Sequence, residues 1–361
     1  MKIVTVAGTR PQLVKIAPVS RVLRQHVNEV LINTGQHYDY NLAGVFFDEL
    51  NIPRPDYDLE CGSASHGKQT GAMLSKIEDV LMDERPDAVL VYGDTNSTLA
   101  GALAASKLHI PTIHIEAGLR SFNRKMPEEI NRVVTDHISS LLFAPTEAAV
   151  KNLQREGITN HVINAGDVMY DAVLYYTAMA EEKFSLDSFG VAEKNYILAT
   201  IHRPYNTDSL DKLTAIVRAF ERLQETVIFP IHPRTKHRLQ EYGLYDRLIQ
   251  STHIKVTPPI SYLEMLLLEK KAKAIITDSG GVQKEAYFAK VPCITLRSET
   301  EWIETVEAGC NRLVNIGLED LAAIIGMSTP NGDFSKQLFG DGKASEKIVK
   351  EIINYLGKAA C

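Results

Sequence analysis

The sequence predicts an α/β protein made of two similar halves, each a doubly wound parallel sheet. Three observations lead there. Short β-rich runs alternate with helix-like segments from the first residue onward. The runs are nearly continuous apolar stretches rather than every-second-residue patterns, as strands covered on both faces require. A charged interruption then divides the series in two. The length agrees: 361 residues, at about 150 per domain, gives two domains.

In chain order, strands are expected at Lys2 to Ala7, Glu29 to Asn33, Ala88 to Tyr92, Thr112 to Ile115, Leu141 to Ala144 and His161 to Asn164. The Ala- and Leu-rich segments Ser97 to Leu108 and Glu147 to Glu156 have helical spacing. The pattern lapses into mixed charge from Glu181 to Lys194. A second series follows, with strands at Tyr196 to Ile201, Val227 to Ile231, Ile254 to Thr257, Ala274 to Thr277 and Pro292 to Leu296. A Gly/Pro/Asn-rich stretch from Ser328 to Lys343 precedes a last helix, whose Ile348, Val349, Ile352, Ile353 and Leu356 share one face and must dock against a partner. The domains are accordingly expected at 1–170 and 171–344, with the helix at 345–357.

Charge and composition exclude several classes. Apolar residues are 45% and charged residues 23%, which fits a globular protein and neither a disordered nor a coiled-coil one. The formal net charge of −6 supplies no field that would recruit nucleic acid or an anionic membrane. No apolar run approaches the roughly 20 residues of a bilayer span, and Met1-Lys2 leads into a strand rather than a signal-peptide core, so a cytoplasmic location is expected. Cys61, Cys293, Cys310 and Cys361 have no C-x-x-C or zinc-ligand spacing, and no P-loop or paired-histidine motif occurs.

Ligands of open α/β sheets sit beyond the carboxyl ends of the strands, and here those positions are unusually polar. Gly8-Thr9-Arg10-Pro11, Thr34-Gly35-Gln36-His37, Gly93-Asp94-Thr95-Asn96 and Glu116-Ala117-Gly118-Leu119-Arg120 follow strands of the first half. His202-Arg203, His232-Pro233-Arg234 and Asp278-Ser279-Gly280-Gly281 follow strands of the second. Asp94 and Glu116 are one helix-plus-strand unit apart, so both carboxylates can share a rim as an acid/base pair; Asp94 could equally cap the next helix. Glu128 and Glu129 follow a proline at a helix start, where carboxylates favour the macrodipole without further meaning. Ser279-Gly280-Gly281 could present free N–H groups to a phosphate or form a plain capped turn. Arg10 and Lys15 could hold a diphosphate, as a planar fork and a point charge. The first turn lacks G-x-G-x-x-G, which argues against NAD. His202 would face an interdomain cleft, although a lone histidine is often structural; His37, His114 and His232 carry weaker cases.

In order along nearly the whole chain, these motifs resemble the non-hydrolysing UDP-N-acetylglucosamine 2-epimerases. The resemblance rests on Gly8-Thr9-Arg10-Pro11 with Lys15 and Pro18, Thr34-Gly35-Gln36-His37, Tyr92-Gly93-Asp94-Thr95, and His114-Ile115-Glu116-Ala117-Gly118-Leu119-Arg120. It continues through Pro127-Glu128-Glu129 with Asn131-Arg132, Ala165-Gly166-Asp167, Ile201-His202-Arg203, and Thr277-Asp278-Ser279-Gly280-Gly281 with Gln283 and Glu285. It implies two Rossmann-like domains around an interdomain cleft, a GT-B-like architecture, with the last helix packing back on the first domain. By the same resemblance Asp94, Glu116, Glu128 and His202 match catalytic positions. Arg10, Lys15, Ser279, Gly280, Gly281 and Glu285 match UDP-binding ones, with Glu285 on the ribose, and Arg132 matches a position near the sugar. No cofactor and no metal are implied, and a homodimer is.

Two segments depart from many bacterial members: Gln36-His37-Tyr38-Asp39-Tyr40-Asn41 and His202-Arg203-Pro204-Tyr205-Asn206. Both correspond to an allosteric substrate site, so allosteric activation is not expected to carry over unchanged. The first of them, with Arg120-Ser121-Phe122-Asn123 and Glu299-Thr300-Glu301-Trp302, is similar to the branch containing UDP-2,3-diacetamido-2,3-dideoxyglucuronate 2-epimerases.

The chemistry of such a reaction explains the residue types. C2 of a UDP-HexNAc has no adjacent carbonyl, so its proton becomes acidic only as the C1–O bond breaks. Elimination to a glycal and re-addition of UDP then invert the centre. Fixed donors must stabilise the departing diphosphate, and groups on both ring faces must move the C2 proton. Two rival classes remain: a glycosyltransferase on the same architecture, for which three strand-end carboxylates are more than transfer needs, and a non-catalytic UDP-sugar sensor.

Overall fold

The computed structural model describes residues 1–36, 47, 49–316, 324 and 332–359. It divides into two compact units: Met1–Ala172 together with the chain from Gln337 onward, and Val173–Lys336.

The first unit is built on seven parallel strands, β1 (Lys2–Ala7), β2 (Asn28–Asn33), β3 (Tyr57–Asp58), β4 (Ala88–Tyr92), β5 (Thr112–Ile115), β6 (Leu141–Ala144) and β7 (Val162–Asn164), in the order β3-β2-β1-β4-β5-β6-β7. Val4 lies between Val30 and Val89 in register, and β1 and β4 are almost wholly buried. That double covering is why their sequences show no polar alternation. One face packs Val4, Val6, Val30, Val89 and Val91 against Met73, Ile77, Ala100 and Ala104. The alanines of helix Asn96–Lys107 keep its surface thin enough to lie close on the sheet.

The second unit holds six parallel strands, β8 (Tyr196–Thr200), β9 (Thr226–Pro230), β10 (Ile254–Thr257), β11 (Ala274–Thr277), β12 (Cys293–Thr295) and β13 (Asn311–Leu313), in the order β10-β9-β8-β11-β12-β13. The α/β class with two doubly wound parallel sheets is as the sequence predicts. β3 and β13 were not expected. Each is an outermost strand of two or three residues with an exposed member, Asp58 or Arg312, and so carries no apolar run. Of the Ser328–Lys343 stretch, residues 332–343 are described and form turns and bends without a helix or strand. Among the described residues no helix is long and apolar enough to cross a membrane.

In each sheet the strand order reverses once, between β1 and β4 and between β8 and β11. At such a point successive loops leave toward opposite faces, and a crevice opens at the strands' carboxyl ends.

The last helix, Ala344–Ala359, packs on helix Arg10–Leu23 and buries Ile348, Val349, Ile352 and Leu356. Its start is held by Asp171, whose carboxylate accepts from the backbone N–H of Ala344 (3.1 Å) and Ser345 (2.7 Å). A carboxylate at a helix N-terminus also meets the positive end of the macrodipole. Replacing fully buried Ile352 with Ala should cost the first unit about 2–5 kcal/mol, the usual range for such a truncation. Denaturant unfolding measures it, and unchanged stability would mean that this face is not packed.

Candidate active site

At the β1/β4 reversal of the first unit lies a cavity of about 230 Å³, lined among others by Thr9, Gln12, Lys15, Asp94, Glu128 and Asn131. Buried Gln12 fixes its floor. Its side-chain oxygen accepts from Gly8 N–H at 2.9 Å, and its amide nitrogen donates to the Tyr92 carbonyl (2.9 Å) and Thr98 Oγ1 (3.0 Å). The loop after β1 is thereby tied to the end of β4.

Asp94 follows β4 but does not cap the next helix. Thr95 does so, accepting from Thr98 N–H in a reciprocal capping box. The Asp94 side chain is left for the cavity and is held from one side: Arg132 Nη2 donates to Asp94 Oδ2 at 2.5 Å, while Arg132 Nη1 donates to Glu129 Oε2 at 3.0 Å. Asn131 adds a bond to the Asp94 carbonyl at 2.9 Å.

Glu116, after β5, has φ of +74°, the left-handed region that a non-glycine residue enters only when its surroundings impose it. The imposing contacts are visible. The N–H groups of Glu116 and Ala117 both donate to the Phe143 carbonyl, at 3.1 and 3.0 Å. The turned side chain places Oε2 against Lys15 Nζ, with Gly93 beside both. Gly93 itself has φ of +66°, and a Cβ there would fall 3.1 Å from Glu116 Oε2 and 3.2 Å from Lys15 Nζ. Only glycine leaves that contact intact. Lys15, assigned by resemblance to the nucleotide, thus lies on the Glu116 carboxylate.

The two neighbouring acids of Pro127-Glu128-Glu129 separate cleanly. Glu129 is buried and accepts from Ser121 N–H (2.9 Å), Ser121 Oγ (3.0 Å) and Phe122 N–H (2.9 Å) as well as from Arg132. Burial pushes its carboxyl up, but these bonds prevail and hold it below the ordinary range. Glu128 points away from this network, is exposed, and lines the cavity. Arg10, the first residue of its helix, is also exposed.

Behind the cavity lies a buried chain of charges. Asp136 Oδ1 is 2.7 Å from His114 Nδ1, and His114 Nε2 is 2.8 Å from the Gly93 carbonyl. Asp136 Oδ2 accepts from Gly118 N–H (3.1 Å) and Arg120 Nη1 (2.7 Å), and Arg120 also grips Glu156 through two bonds of 2.7 and 2.8 Å. Burial alone would raise the Asp136 carboxyl; the His114 and Arg120 contacts reverse this and hold it below the ordinary value.

In the second unit the β8/β11 reversal brings together His202 and Asp278. Buried Asp278 accepts from the backbone N–H of His202 (3.0 Å) and Arg203 (3.0 Å) and from Asn206 Nδ2 (3.0 Å). His202 Nδ1 is 3.4 Å from the same carboxylate. Burial pushes the imidazole down, the Asp278 charge pulls it up, and Arg203 and His232 push it down again, so His202 lies below the usual histidine value and is neutral at neutral pH. Ser279 caps helix Gly280–Phe288, accepting from Val282 N–H. A Cβ at Gly280 would fall 2.5 Å from Glu301 Oε1, and Arg297 Nη2 donates to Glu301 Oε2 at 3.0 Å. Glu285 is buried one turn into this helix, with Oε2 4.0 Å from where a Gly281 Cβ would lie. Burial raises its carboxyl, moderated by the Tyr262 hydroxyl and Lys284.

A family model described as UDP-N-acetylglucosamine 2-epimerase matches residues 21–353. The chain belongs to that family. Over 98% of its length it is 54% identical to a UDP-N-acetylglucosamine 2-epimerase homolog of Methanococcus maripaludis, all of which is covered. Over 99% it is 45% identical to the UDP-2,3-diacetamido-2,3-dideoxy-D-glucuronate 2-epimerase of Pseudomonas aeruginosa, again covered completely. Among solved structures, the UDP-GlcNAc 2-epimerase of Methanocaldococcus jannaschii in complex with UDP-GlcNAc and UDP superposes with a TM-score of 0.87 at 49% identity, covering 98% of this chain and 100% of that one.

The epimerase motifs in the sequence did not disclose every residue that builds these loops. Asp136, Glu129, Gln12 and Asp278 had no assigned role. A signal for two of them exists: helix Pro127–Ile138 buries Glu129, Asn131, Arg132, Thr135 and Asp136, while Ile130 is 42% exposed. Polar residues at helical spacing next to a catalytic-type loop mark a helix that turns its polar face inward. His37 and the Tyr38–Asn41 segment lie outside the described residues. Asp136→Asn removes the charge between His114 and Arg120, and breaking such a buried pairing should cost about 3–5 kcal/mol near neutral pH. Because the folded carboxyl lies below its unfolded value of about 3.9, its contribution is complete above that pH and fades as pH falls through the folded value. The gap between wild type and variant, read from denaturant melts, should therefore narrow below about pH 4.

Proposed function

We propose that the protein inverts C2 of a UDP-HexNAc, converting UDP-GlcNAc to UDP-ManNAc without hydrolysis, by eliminating UDP and adding it back. The observation that carries this is that Asp94 and Glu128 line the cavity at the β1/β4 reversal, while Glu116, at the neighbouring strand end, contacts the cavity-lining Lys15. In the elimination the C1–O bond breaks with its electron pair going to UDP. The C2–H pair becomes the C1=C2 bond, and the C2 proton passes to a carboxylate. Reprotonation of the glycal from the opposite face and return of UDP to C1 complete the inversion. Groups on both faces are needed, which one carboxylate cannot supply.

Asp94, Glu116 and Glu128 act as the acid/base set, and the neutral His202 is suited to proton transfer at neutral pH. Arg10, Lys15 and the Ser279-Gly280-Gly281 helix start suit the charge on the departing diphosphate. Glu285 suits the ribose hydroxyls, and Arg132 orients Asp94 beside the sugar. Family resemblance supports a cytoplasmic homodimer that supplies precursors for surface polysaccharide.

In deuterated water, with UDP-GlcNAc and no acceptor, proton NMR should show the epimer forming with deuterium at C2; full retention of hydrogen there overturns the elimination. Glu116→Gln and Glu128→Gln keep shape but remove the ionisable proton, so kcat should fall about 10²-fold while UDP still binds. A kcat within a few-fold of wild type together with lost UDP binding would make these carboxylates nucleotide ligands instead. The Arg120–Asn123 and Glu299–Trp302 segments favour one other substrate, the 2,3-diacetamido-glucuronate nucleotide. Comparing kcat/KM for both decides, with UDP-GlcNAc expected to be preferred.

A further inference from the structure

Helices Tyr262–Lys271 and Gly280–Phe288 pack together in the second unit and enclose two carboxyl groups, Glu269 and Glu285, within hydrogen-bonding reach of each other. Glu269 is 1% exposed, and neither of its oxygens meets a donor among the described residues. The titratable neighbours are committed elsewhere. The Tyr196 hydroxyl donates to the Leu268 carbonyl at 2.6 Å, Cys293 Sγ pairs with Thr295 Oγ1 at 3.6 Å, Lys284 Nζ lies 4.1 Å over the Trp302 ring, and the Tyr262 hydroxyl faces Glu285. Leu268 and Ala272, next to Glu269 in the chain, belong to an apolar cluster with Val282, Ala286 and Val291.

Two facing carboxylates buried with no cation between them among the described residues cannot both be ionised. One proton must lie between them. Its place is set by the surroundings. Glu285 has the Tyr262 hydroxyl and the Lys284 charge to favour the anion, whereas neither Glu269 oxygen meets a donor among the described residues. Burial raises both groups, and Glu269 well above the ordinary value.

We propose that Glu269 is a neutral carboxylic acid whose O–H donates to Glu285, fixing that carboxylate's orientation for the nucleotide ribose, so that Glu269 is a positioning residue for nucleotide binding. This rests on the assignment of Glu285 to the ribose given above. The donated proton occupies one lone pair of Glu285 from behind and locks its rotamer, leaving the remaining lone pairs in a fixed direction. Since the folded Glu269 value lies above the unfolded one, the proton is held to higher pH than on an ordinary carboxyl and leaves in alkali. Two negative charges then face each other next to an anionic ligand.

Infrared difference spectroscopy of the ligand-free full chain near pH 7 should show the carbonyl stretch of a protonated carboxylic acid that disappears in Glu269→Gln. UDP affinity of the wild type, followed by calorimetry, should weaken at least tenfold on going from neutral to strongly alkaline pH. Glu269→Gln, which still donates an N–H but cannot ionise, should bind UDP within a few-fold of wild type at neutral pH and lose most of the alkaline decline. Glu269→Ala should bind at least tenfold more weakly at both. A spectrum identical in wild type and Glu269→Gln, or identical alkaline profiles for the two, overturns the proposal. The spectrum needs no ligand, so it stands apart from the ribose assignment: if the band is lost in Glu269→Gln but Glu285→Gln leaves UDP affinity unchanged, the shared proton holds and the ribose reading fails.

Discussion

The carboxylate of Asp136 accepts from three places at once: the ring of His114 on β5, the N–H of Gly118 in the loop after it, and the guanidinium of Arg120. Through His114 it reaches a fourth, the Gly93 carbonyl that precedes Asp94. Removing a carboxylate from water costs several kcal/mol unless hydrogen bonds and a countercharge repay it, so this group is tolerable only in one arrangement of its partners. That arrangement fixes the loop carrying Asp94 and the loop carrying Glu116 relative to each other. The left-handed backbone at Glu116 follows, since the chain between β5 and Gly118 has to reach both Phe143 and Asp136.

The second unit uses the same device. Asp278, fully buried after β11, collects the N–H groups of His202 and Arg203 and the amide of Asn206, and so pins the loop after the neighbouring strand β8. In both sheets a buried aspartate joins strand-end loops at or beside the reversal of strand order, where loops diverge and have few backbone partners of their own. Two acids of the first unit, half-buried Asp94 and buried Glu116, then rely on a structural neighbour. Asp94 has Arg132, itself braced by Glu129, and Glu116 has Lys15. A site arranged this way sets its charges before a ligand arrives, which is what electrostatic preorganisation requires.

The sequence disclosed most of the fold because burial on both faces leaves unmistakable apolar runs. Lys2–Ala7, Ala88–Tyr92, Thr112–Ile115, Leu141–Ala144, Ile254–Thr257 and Ala274–Thr277 are strands from end to end as read. Edge strands β3 and β13 escaped, since one neighbour and partial exposure impose no such run. Loops after central strands were legible as sites for the same reason: Asp94 and Glu116 are polar residues where only function or capping explains them, and Thr95 takes the cap. What stayed hidden was pairing across distance. The helical spacing of polar residues in Pro127–Ile138 marks a polar face turned inward, but which partner each meets, Arg132 for Glu129 or His114 for Asp136, depends on how that helix is rotated about its axis. Glu269 was hidden for another reason: inside an apolar helix a glutamate ordinarily reads as a solvated face, and only packing shows it enclosed.

The docking of Ala344–Ala359 on Arg10–Leu23 bears on how the chain matures during synthesis. The second unit is one continuous stretch, whereas the first is interrupted by it and is completed by residues translated after it. Until then the groove that receives Ile348, Val349 and Ile352 remains bare on the nascent protein, and Asp171 has no helix start to hold. The domain that begins emerging first is therefore the last to close, and a chain cut short after the second unit would release a first unit with its hydrophobic groove open to chaperones and proteases.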